Sequence, residues 1–254
     1  MLRYDDAPAL ADEATRALCT SMVQLCAAQG ERGRSRQLDG AAIFVSGGRI
    51  PTLNTLVVSA PNVVAVAELL DELAATGLPH SVLVRPAALA PVEDLLVARG
   101  RSVREQLPLM VRIGAAPPVA ATDGLTVERL APGRAGDHVA VMAAGFEMPA
   151  DVVAEVMPEE VLAIPDLGCY LGSAGGEAVT TGIGMLACGW VGVFNIATPA
   201  AHRRRGHATA ITARIVADGL AAGAEAAYLQ SSSMGQAVYE RLGFRTVERW
   251  SIWL

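Results

Sequence analysis

The 254-residue sequence contains no lysine, since all 20 of its basic residues are arginine. The chain therefore offers no lysine side chain for acylation. A Walker-type phosphate loop, which needs a lysine, is excluded, and the glycine pattern of a Rossmann dinucleotide site is absent as well. The arginine preference, with heavy use of alanine, valine and leucine, also suits a GC-rich bacterial genome.

The sequence also lacks long apolar runs and closely spaced cysteine pairs. No stretch reaches the 18 apolar residues of a membrane span, and the acidic start does not suit a signal peptide. None of the four cysteines forms a Cys-x-x-Cys motif. The net charge of −6 argues against a non-specific nucleic-acid binder. We therefore expect a cytoplasmic protein, monomer or homodimer, with reduced thiols and without metal, membrane or nucleic-acid partners.

A segment rich in proline and small residues divides the chain. It runs from Gly114 to Gly124, and apolar periodicity resumes on both sides of it. With 52% apolar residues, both halves can bury a core. The sequence thus predicts a domain at 1–113, a linker at 114–124 and a second domain at 125–254.

The two halves share an order of predicted elements. Strand, helix, strand, short helix and strand are predicted in the first half at 55–59, 63–75, 81–85, 92–99 and 106–113. The same order is predicted in the second half at 192–198, 206–222, 226–230, 235–242 and 246–254. An internal duplication explains this order, although two unrelated α/β units also fit it.

The start of the second half predicts further elements. A strand is followed by two helical stretches and a hairpin, at 125–130, 134–144, 152–162, 169–173 and 178–186. The predicted fold class is α/β, with a mixed sheet that is largely antiparallel at its start.

Residues that suit anion binding concentrate where the helix at 206–222 begins. Arg203-Arg204-Arg205-Gly206-His207-Ala208 follows a strand and opens that helix. The first amides of a helix lack internal partners and carry about half a positive charge between them. Glycine lets an anion approach the backbone closely. The pattern predicts a phosphate site, although three arginines are equally typical of a solvated charge run.

The stretch from Phe194 to Phe244 resembles the GNAT N-acetyltransferase superfamily. The phosphate motif of that family, Arg/Gln-x-x-Gly-x-Gly/Ala, matches Arg203 to Ala208. Its Tyr-x-x-x-Gly-Phe signature matches the segment from Tyr239 to Phe244. Both motifs stand in the right order and on the right predicted elements.

The resemblance implies two tandem GNAT-like domains, each with a central mixed sheet flanked by helices. It also implies acetyl-CoA as co-substrate, a primary amine of a small molecule or protein as acceptor, and direct attack in a ternary complex. Tyr239 would donate a proton or hydrogen bond to the departing sulfur, unless it is a core tyrosine with a satisfied hydroxyl. The cofactor would be bound by Ile196, Ala197 and Thr198 along the pantetheine, by Arg203, Arg204, Arg205, Gly206, His207, Ala208 and Thr209 at the pyrophosphate, and by Ser232.

The sequence departs from the family in three places, and the first is the turn before the phosphate motif, where Ala200 stands at the usual proline position and Pro199 precedes it. The frequent strand glutamate has no counterpart, because Phe194 and Asn195 stand there. In the first half, the turn at 59–62 has neither arginine nor glycine, and Pro61 removes an amide. This predicts a degenerate first domain that does not bind the cofactor.

The identity of the general base stays open at this point. Glu147 lies in a break between two helical stretches where a substrate loop could lie, although a glutamate in such a place is more often a solvated surface acid. Asn195 could hold a water molecule. An acyl-CoA sensor with little or no turnover is therefore the alternative to an active N-acetyltransferase.

Overall fold

The computed structural model describes residues 3–118 and 124–254, so residues 119–123 of the predicted linker lie outside it. The first half contains α1 (Ala7–Ala27), β1 (Arg34–Leu38), β2 (Ala41–Val45), β3 (Asn54–Val58), α2 (Val63–Ala74), β4 (Ser81–Val84), α3 (Pro86–Ala98) and β5 (Val103–Ile113). The second half contains β6 (Leu125–Arg129), α4 (Ala135–Phe146), α5 (Ala150–Val156), α6 (Glu159–Leu162), β7 (Leu167–Ala174), β8 (Glu177–Ala187), β9 (Trp190–Ala197), α7 (His207–Ala221), β10 (Ala226–Gln230), α8 (Gln236–Arg241) and β11 (Arg245–Trp253).

Local sequence signals explain where several helices begin and end. The Asn62 side chain accepts a hydrogen bond from the amide of Ala65 at 3.1 Å, which starts α2 where the sequence predicts it. Helix α3 begins six residues earlier than predicted, because Pro86 suits a first helical position. The predicted helix at 152–162 is broken at Pro158, which separates α5 from α6. The hairpin of β1 and β2 was not predicted, since β1 is polar on both faces and shows no alternation.

The eleven strands form one mixed sheet in the order β1-β2-β3-β4-β11-β5-β10-β9-β8-β7-β6. The last strand of each half is paired with the other half, because β5 lies against β10 and β11 lies against β4. The two exchanged strands also pair with each other, antiparallel, at the centre of the sheet. The predicted mixed α/β sheet is confirmed.

The topology of one half repeats in the other. Parallel β3 and β4 flank α2 as parallel β9 and β10 flank α7, and each parallel pair continues into an exchanged antiparallel strand. This repetition supports a tandem origin. Because the sheet is continuous, the domain boundaries at 113 and 125 stay a prediction.

Helices cover both faces of the sheet. On β10, Ala226 and Tyr228 pack in the cluster under α1, whereas Ala227 and Leu229 pack in the cluster under α7. Helices α4 and α5 enclose a further cluster over β7 and β8, and α2 and α3 enclose the last over β2 to β4. None of the described helices combines the length and apolar character needed to cross a membrane.

A buried histidine in the second half makes the stability of the fold depend on pH. His138 of α4 is fully buried, and its Nδ1 lies 2.6 Å from Oγ1 of Thr181. That hydroxyl donates to the carbonyl of Tyr170 at 2.8 Å, so it accepts from Nδ1. Within the described residues, Nε2 has no hydrogen-bond partner. Burial lowers the pKa of His138 to about 4.

We expect the free energy of unfolding to fall as the pH drops from about 6.5 to 4. The reason is that the unfolded chain binds a proton there, at the ordinary histidine pKa of about 6.5, and the folded chain does not. One proton accounts for about 1.4 kcal/mol per pH unit. Urea unfolding at several pH values checks this, with His138→Leu as the comparison. Equal pH slopes for the two proteins would contradict it.

Candidate active site

Strands β9 and β10 separate part-way along their length. Their parallel pairing runs from Trp190 opposite Ala226 to Gly192 opposite Tyr228, where it ends among the described residues. Strand β9 continues five residues further, to Ala197. This leaves a V-shaped opening that exposes one backbone edge of β9 toward the end of β10.

A bulge in β9 shapes this opening. Opposite β8, Phe194 pairs with Ile183 and Ala197 pairs with Thr181, so β9 carries one extra residue. The extra residue is accommodated at Asn195, whose φ of 53° is left-handed. The bulge was not predicted from the sequence, although Asn195 was named there as a candidate site residue.

The predicted pantetheine residues lie beyond this bulge. The carbonyl of Ala197 accepts from Oγ1 of Thr180 at 3.0 Å, and that atom lies 2.9 Å from Oγ1 of Thr198. These bonds fix the direction of the chain at the end of β9. Together with Ile196, which is half-buried, the two residues therefore present a rigid backbone edge to the opening.

The predicted phosphate turn is a left-handed turn onto a helix start. Arg204 has a φ of 63° and Gly206 a φ of 83°, and α7 begins at the next residue. The first intrahelical bond is donated by the amide of Ala210 to the carbonyl of Gly206 at 2.9 Å. The amides of His207, Ala208 and Thr209 precede it and carry the positive end of the helix dipole.

The side chains of this turn differ in what they face. Arg204 and Arg205 are exposed, and neither forms a salt bridge within the described part of the chain. His207 is buried instead, and burial, His202 and Arg205 lower its pKa. The lowered pKa favours the neutral imidazole, and the amide of His207 is among the first amides of α7.

The Arg203 side chain turns away from the helix start. Its Nε donates to the carbonyl of Thr198 at 3.0 Å, and its Nη2 donates to the carbonyl of Gly145 at 2.9 Å. The same Nη2 lies 3.4 Å from Oε1 of Glu147. The guanidinium thus joins the end of β9 to the end of α4. Any contact of Arg203 with a pyrophosphate would involve its backbone.

We expect Arg203→Gln to leave the Kd for acetyl-CoA within about threefold of the wild-type value. The same change frees the end of α4, so amide hydrogen exchange across residues 145–149 becomes faster. Calorimetry and exchange mass spectrometry measure the two effects. Arg204→Gln is the matched control, with weaker, more salt-dependent binding and unchanged exchange. Loss of binding in Arg203→Gln alone would contradict the assignment.

Glu147 lies beside the Arg203 guanidinium, directly after α4. It ends α4 in a left-handed conformation with a φ of 56°. Its side chain is 72% exposed. An exposed carboxylate in contact with Arg203 fits a proton acceptor, and it also fits an ordinary surface acid.

Tyr239 lies on α8 and packs on the cluster that α7 buries. Its ring meets Phe244 edge-on, with ring centres 6.1 Å apart. Burial raises the pKa of Tyr239 to about 12. Its hydroxyl forms no hydrogen bond with any described residue. The role of Tyr239 toward a departing sulfur stays a prediction, beside the alternative of a core tyrosine.

Ser232 helps to form the turn before α8. Its hydroxyl accepts from the amide of Gly235 at 3.3 Å, and its side chain is exposed. Whether Ser232 also contacts a cofactor stays a prediction. The described residues hold no cluster of three metal-ligating side chains.

Comparison with known proteins identifies the family. Residues 73–251 match the family described as "Probable histone acetyltransferase Rv0428c C-terminal", a match that runs across the predicted linker. No curated protein matches the sequence.

Solved structures share the fold over nearly the whole chain. A GCN5-related N-acetyltransferase from Kribbella flavida is 20% identical, with a TM-score of 0.68 over 93% of this chain and 94% of its own. One from Sphaerobacter thermophilus is 15% identical, with a TM-score of 0.59 over 95% and 92%. A "Tandem GNAT protein from the clavulanic acid biosynthesis pathway" is 13% identical, with a TM-score of 0.57 over 98% and 94%. The chain therefore belongs to the family described as "Probable histone acetyltransferase Rv0428c C-terminal", and it shares its fold with GCN5-related N-acetyltransferases.

Proposed function

We propose that this protein transfers an acetyl group from acetyl-CoA to a primary amine, by direct attack of the amine in a ternary complex. The observation that carries the proposal is the opening between β9 and β10, which leads onto the free amides at the start of α7. An extended pantetheine arm fits beside the unpaired edge of β9, and a pyrophosphate fits a helix start.

Each residue then has a defined task. The backbone of Ile196, Ala197 and Thr198 holds the pantetheine arm like an added strand. Amides from Arg204 to Thr209 bind the pyrophosphate, with charge from the Arg204 and Arg205 side chains. When bound, acetyl-CoA supplies a thioester that an amine can attack.

Proton handling involves Tyr239 and a base. An alkylamine with a pKa of about 10.4 is mostly protonated at pH 7, and its deprotonation costs roughly 4–5 kcal/mol. Glu147, or a water held by Asn195, takes that proton. Tyr239 donates a hydrogen bond to the sulfur as it leaves.

We assign the first half a supporting role. Strands β3 and β4 stay paired to their ends, from Thr55 opposite Ser81 to Val58 opposite Val84, so no opening for pantetheine forms there. Arg49 of the first half binds Asp151 of α5 at 2.7 Å. Gln29 donates to the carbonyl of Val156 at 2.9 Å. The first half thus holds α5 beside the acceptor side of the site.

A sensor without turnover is the second candidate. It is motivated by the strand before the phosphate turn, where Phe194 and Asn195 replace the acid frequent in the family. Such a protein binds acetyl-CoA through the same backbone groups and has no efficient base.

Calorimetry with acetyl-CoA, followed by free-thiol release over an amine panel, separates the candidates. The panel contains polyamines, amino sugars, amino acids and a basic peptide. We expect binding, and thiol release with at least one amine. Binding without release over the whole panel favours the sensor, and absence of binding contradicts both.

A further inference from the structure

A cleft of about 480 Å³ opens in the first half of the chain. Ser59, directly after β3, and Arg85, directly after β4, lie at one end of it. Ligands of open α/β sheets bind beyond the carboxyl ends of the strands. The matching place in the second half lies beyond β9 and β10, at the proposed acyl site. One end of the cleft thus lies at the corresponding position, and the rest of it lies between α1 and the strands β1 and β2.

The cleft combines an apolar floor with a polar rim. Its floor is formed by Ala42 and Phe44 of β2, and Val23 of α1 adds an apolar wall. Ser35 and Gln37 of the edge strand β1 form the opposite rim, and both are exposed. This composition is typical of sites for small amphipathic molecules.

A nearly buried guanidinium lies at the end of the cleft. The Arg85 side chain is 12% exposed, and Glu248 of β11 is 16% exposed. Two bonds join them, from Nε to Oε2 at 2.8 Å and from Nη2 to Oε1 at 3.1 Å. Trp250 donates to the same Oε2 at 2.6 Å. This bidentate pair fixes the direction in which Nη1 of Arg85 points.

The remaining nitrogen of the Arg85 guanidinium, Nη1, contacts a carboxylate that is exposed to water. Asp12 of α1 places Oδ1 2.7 Å from Nη1, and the Asp12 side chain is 68% exposed. The ion pair is exposed to water only on its Asp12 side, so Asp12 can turn into the solvent and leave Nη1 of Arg85 to another anion. A carboxylate from outside can therefore take the place of Asp12, and the displaced Asp12 then opposes its binding through like charge. The carbon skeleton of the ligand would then extend along Phe44 toward Val23.

We infer that this cleft binds a small molecule with one carboxylate and a short apolar or aromatic body, held by Arg85 in place of Asp12. The ligand is not an acyl-CoA, because β3 and β4 leave no opening between them for a pantetheine arm. The amide of Arg85 donates to the carbonyl of Val58 at 3.0 Å, so the pairing of the two strands continues past their ends. The inference does not depend on the function proposed for the second half.

Calorimetry and ligand-observed NMR on the full chain test it, with phenylacetate, 3-phenylpropionate and hexanoate as probes. Phenylacetamide and phenethylamine are the neutral and cationic counterparts. We expect the carboxylates to bind at least tenfold more tightly than either counterpart. Asp12→Asn removes the competing carboxylate from an exposed position, so it should tighten carboxylate binding about fivefold or more.

A second pair of variants locates the binding. Ser35→Trp fills the cleft from an exposed position and should abolish binding. Arg34→Trp is the matched control, because Arg34 pairs with Val45 on the opposite face of the sheet, and it should keep binding. The inference is overturned if no carboxylate binds Asp12→Asn, if Ser35→Trp keeps full affinity, or if Asp12→Asn weakens binding while phenethylamine binds the wild type.

Discussion

Replacing Gly206 with valine is expected to raise the Kd for acetyl-CoA about 100-fold or more. Gly206 has a φ of 83°, in the left-handed region, directly before the first residue of α7. A left-handed conformation costs an L-residue about 1–2 kcal/mol, and more for a β-branched one. A side chain here would also stand where a pyrophosphate approaches the amides. Calorimetric titration with acetyl-CoA measures the loss.

The other end of the same helix provides the control. Gly223 follows α7 with a φ of 101°, and a Cβ added there meets no atom within 4 Å. Gly223→Val therefore imposes comparable backbone strain on α7 without touching the phosphate turn. We expect both variants to lower Tm and only Gly206→Val to lose acetyl-CoA. Equal loss of binding in both would mean that strain in α7, rather than the turn, controls affinity.

The phosphate turn shows which structural features the local sequence can predict. The prediction that a helix begins near Gly206 after an arginine run is confirmed, because glycine, small residues and helical periodicity are local signals. The direction of the Arg203 side chain was not predictable, since its partner Gly145 lies 58 residues away. The left-handed conformation of Arg204 was not predictable either, because arginine has no preference for that conformation.

The exchanged strands also show that a local sequence pattern predicts an element but not its distant partner. The sequence predicts β5 and β11 as the last strands of their halves, and the structure confirms both as strands. In β5, three consecutive residues, Leu109, Met110 and Val111, are fully buried, which indicates a central strand covered on both faces. That pattern indicates burial only. The pairing of β5 with β10 and β11 depends on the other half, so the pattern of one strand does not specify it.

The degenerate first half was predicted from residues that are missing, and the structure supplies a separate reason. Loss of arginine and glycine at 59–62 weakens an anion site. The pairing of β3 and β4 to their ends removes the pantetheine opening as well. We therefore expect that restoring an arginine–glycine turn at 59–62 alone would not create a cofactor site, because β3 and β4 would still be paired to their ends.

Tyr239→Phe is expected to lower kcat about 10- to 100-fold and to leave the KM for acetyl-CoA within about twofold. The hydroxyl has no partner among the described residues, so its removal leaves the packing on Phe244 unchanged. The effect lies at or below the lower limit of about 100-fold that is typical of general acids, since a thiolate with a pKa of about 8.5 leaves readily. Steady-state thiol release with the best amine of the panel measures it.

The pH dependence and a matched tyrosine separate a hydrogen-bond donor from a structural ring. Because burial raises the pKa of Tyr239 to about 12, the hydroxyl keeps its proton well above pH 10. The ratio of wild-type to Tyr239→Phe rates should therefore stay constant from pH 7 to 10. Tyr228 is the control, since it is fully buried and its hydroxyl lies 3.1 Å from Oγ of Ser21. Tyr228→Phe should lower stability by about 1 kcal/mol and leave kcat unchanged. If Tyr239→Phe keeps full turnover, the sulfur leaves without help from this residue, and the solvent then supplies the proton.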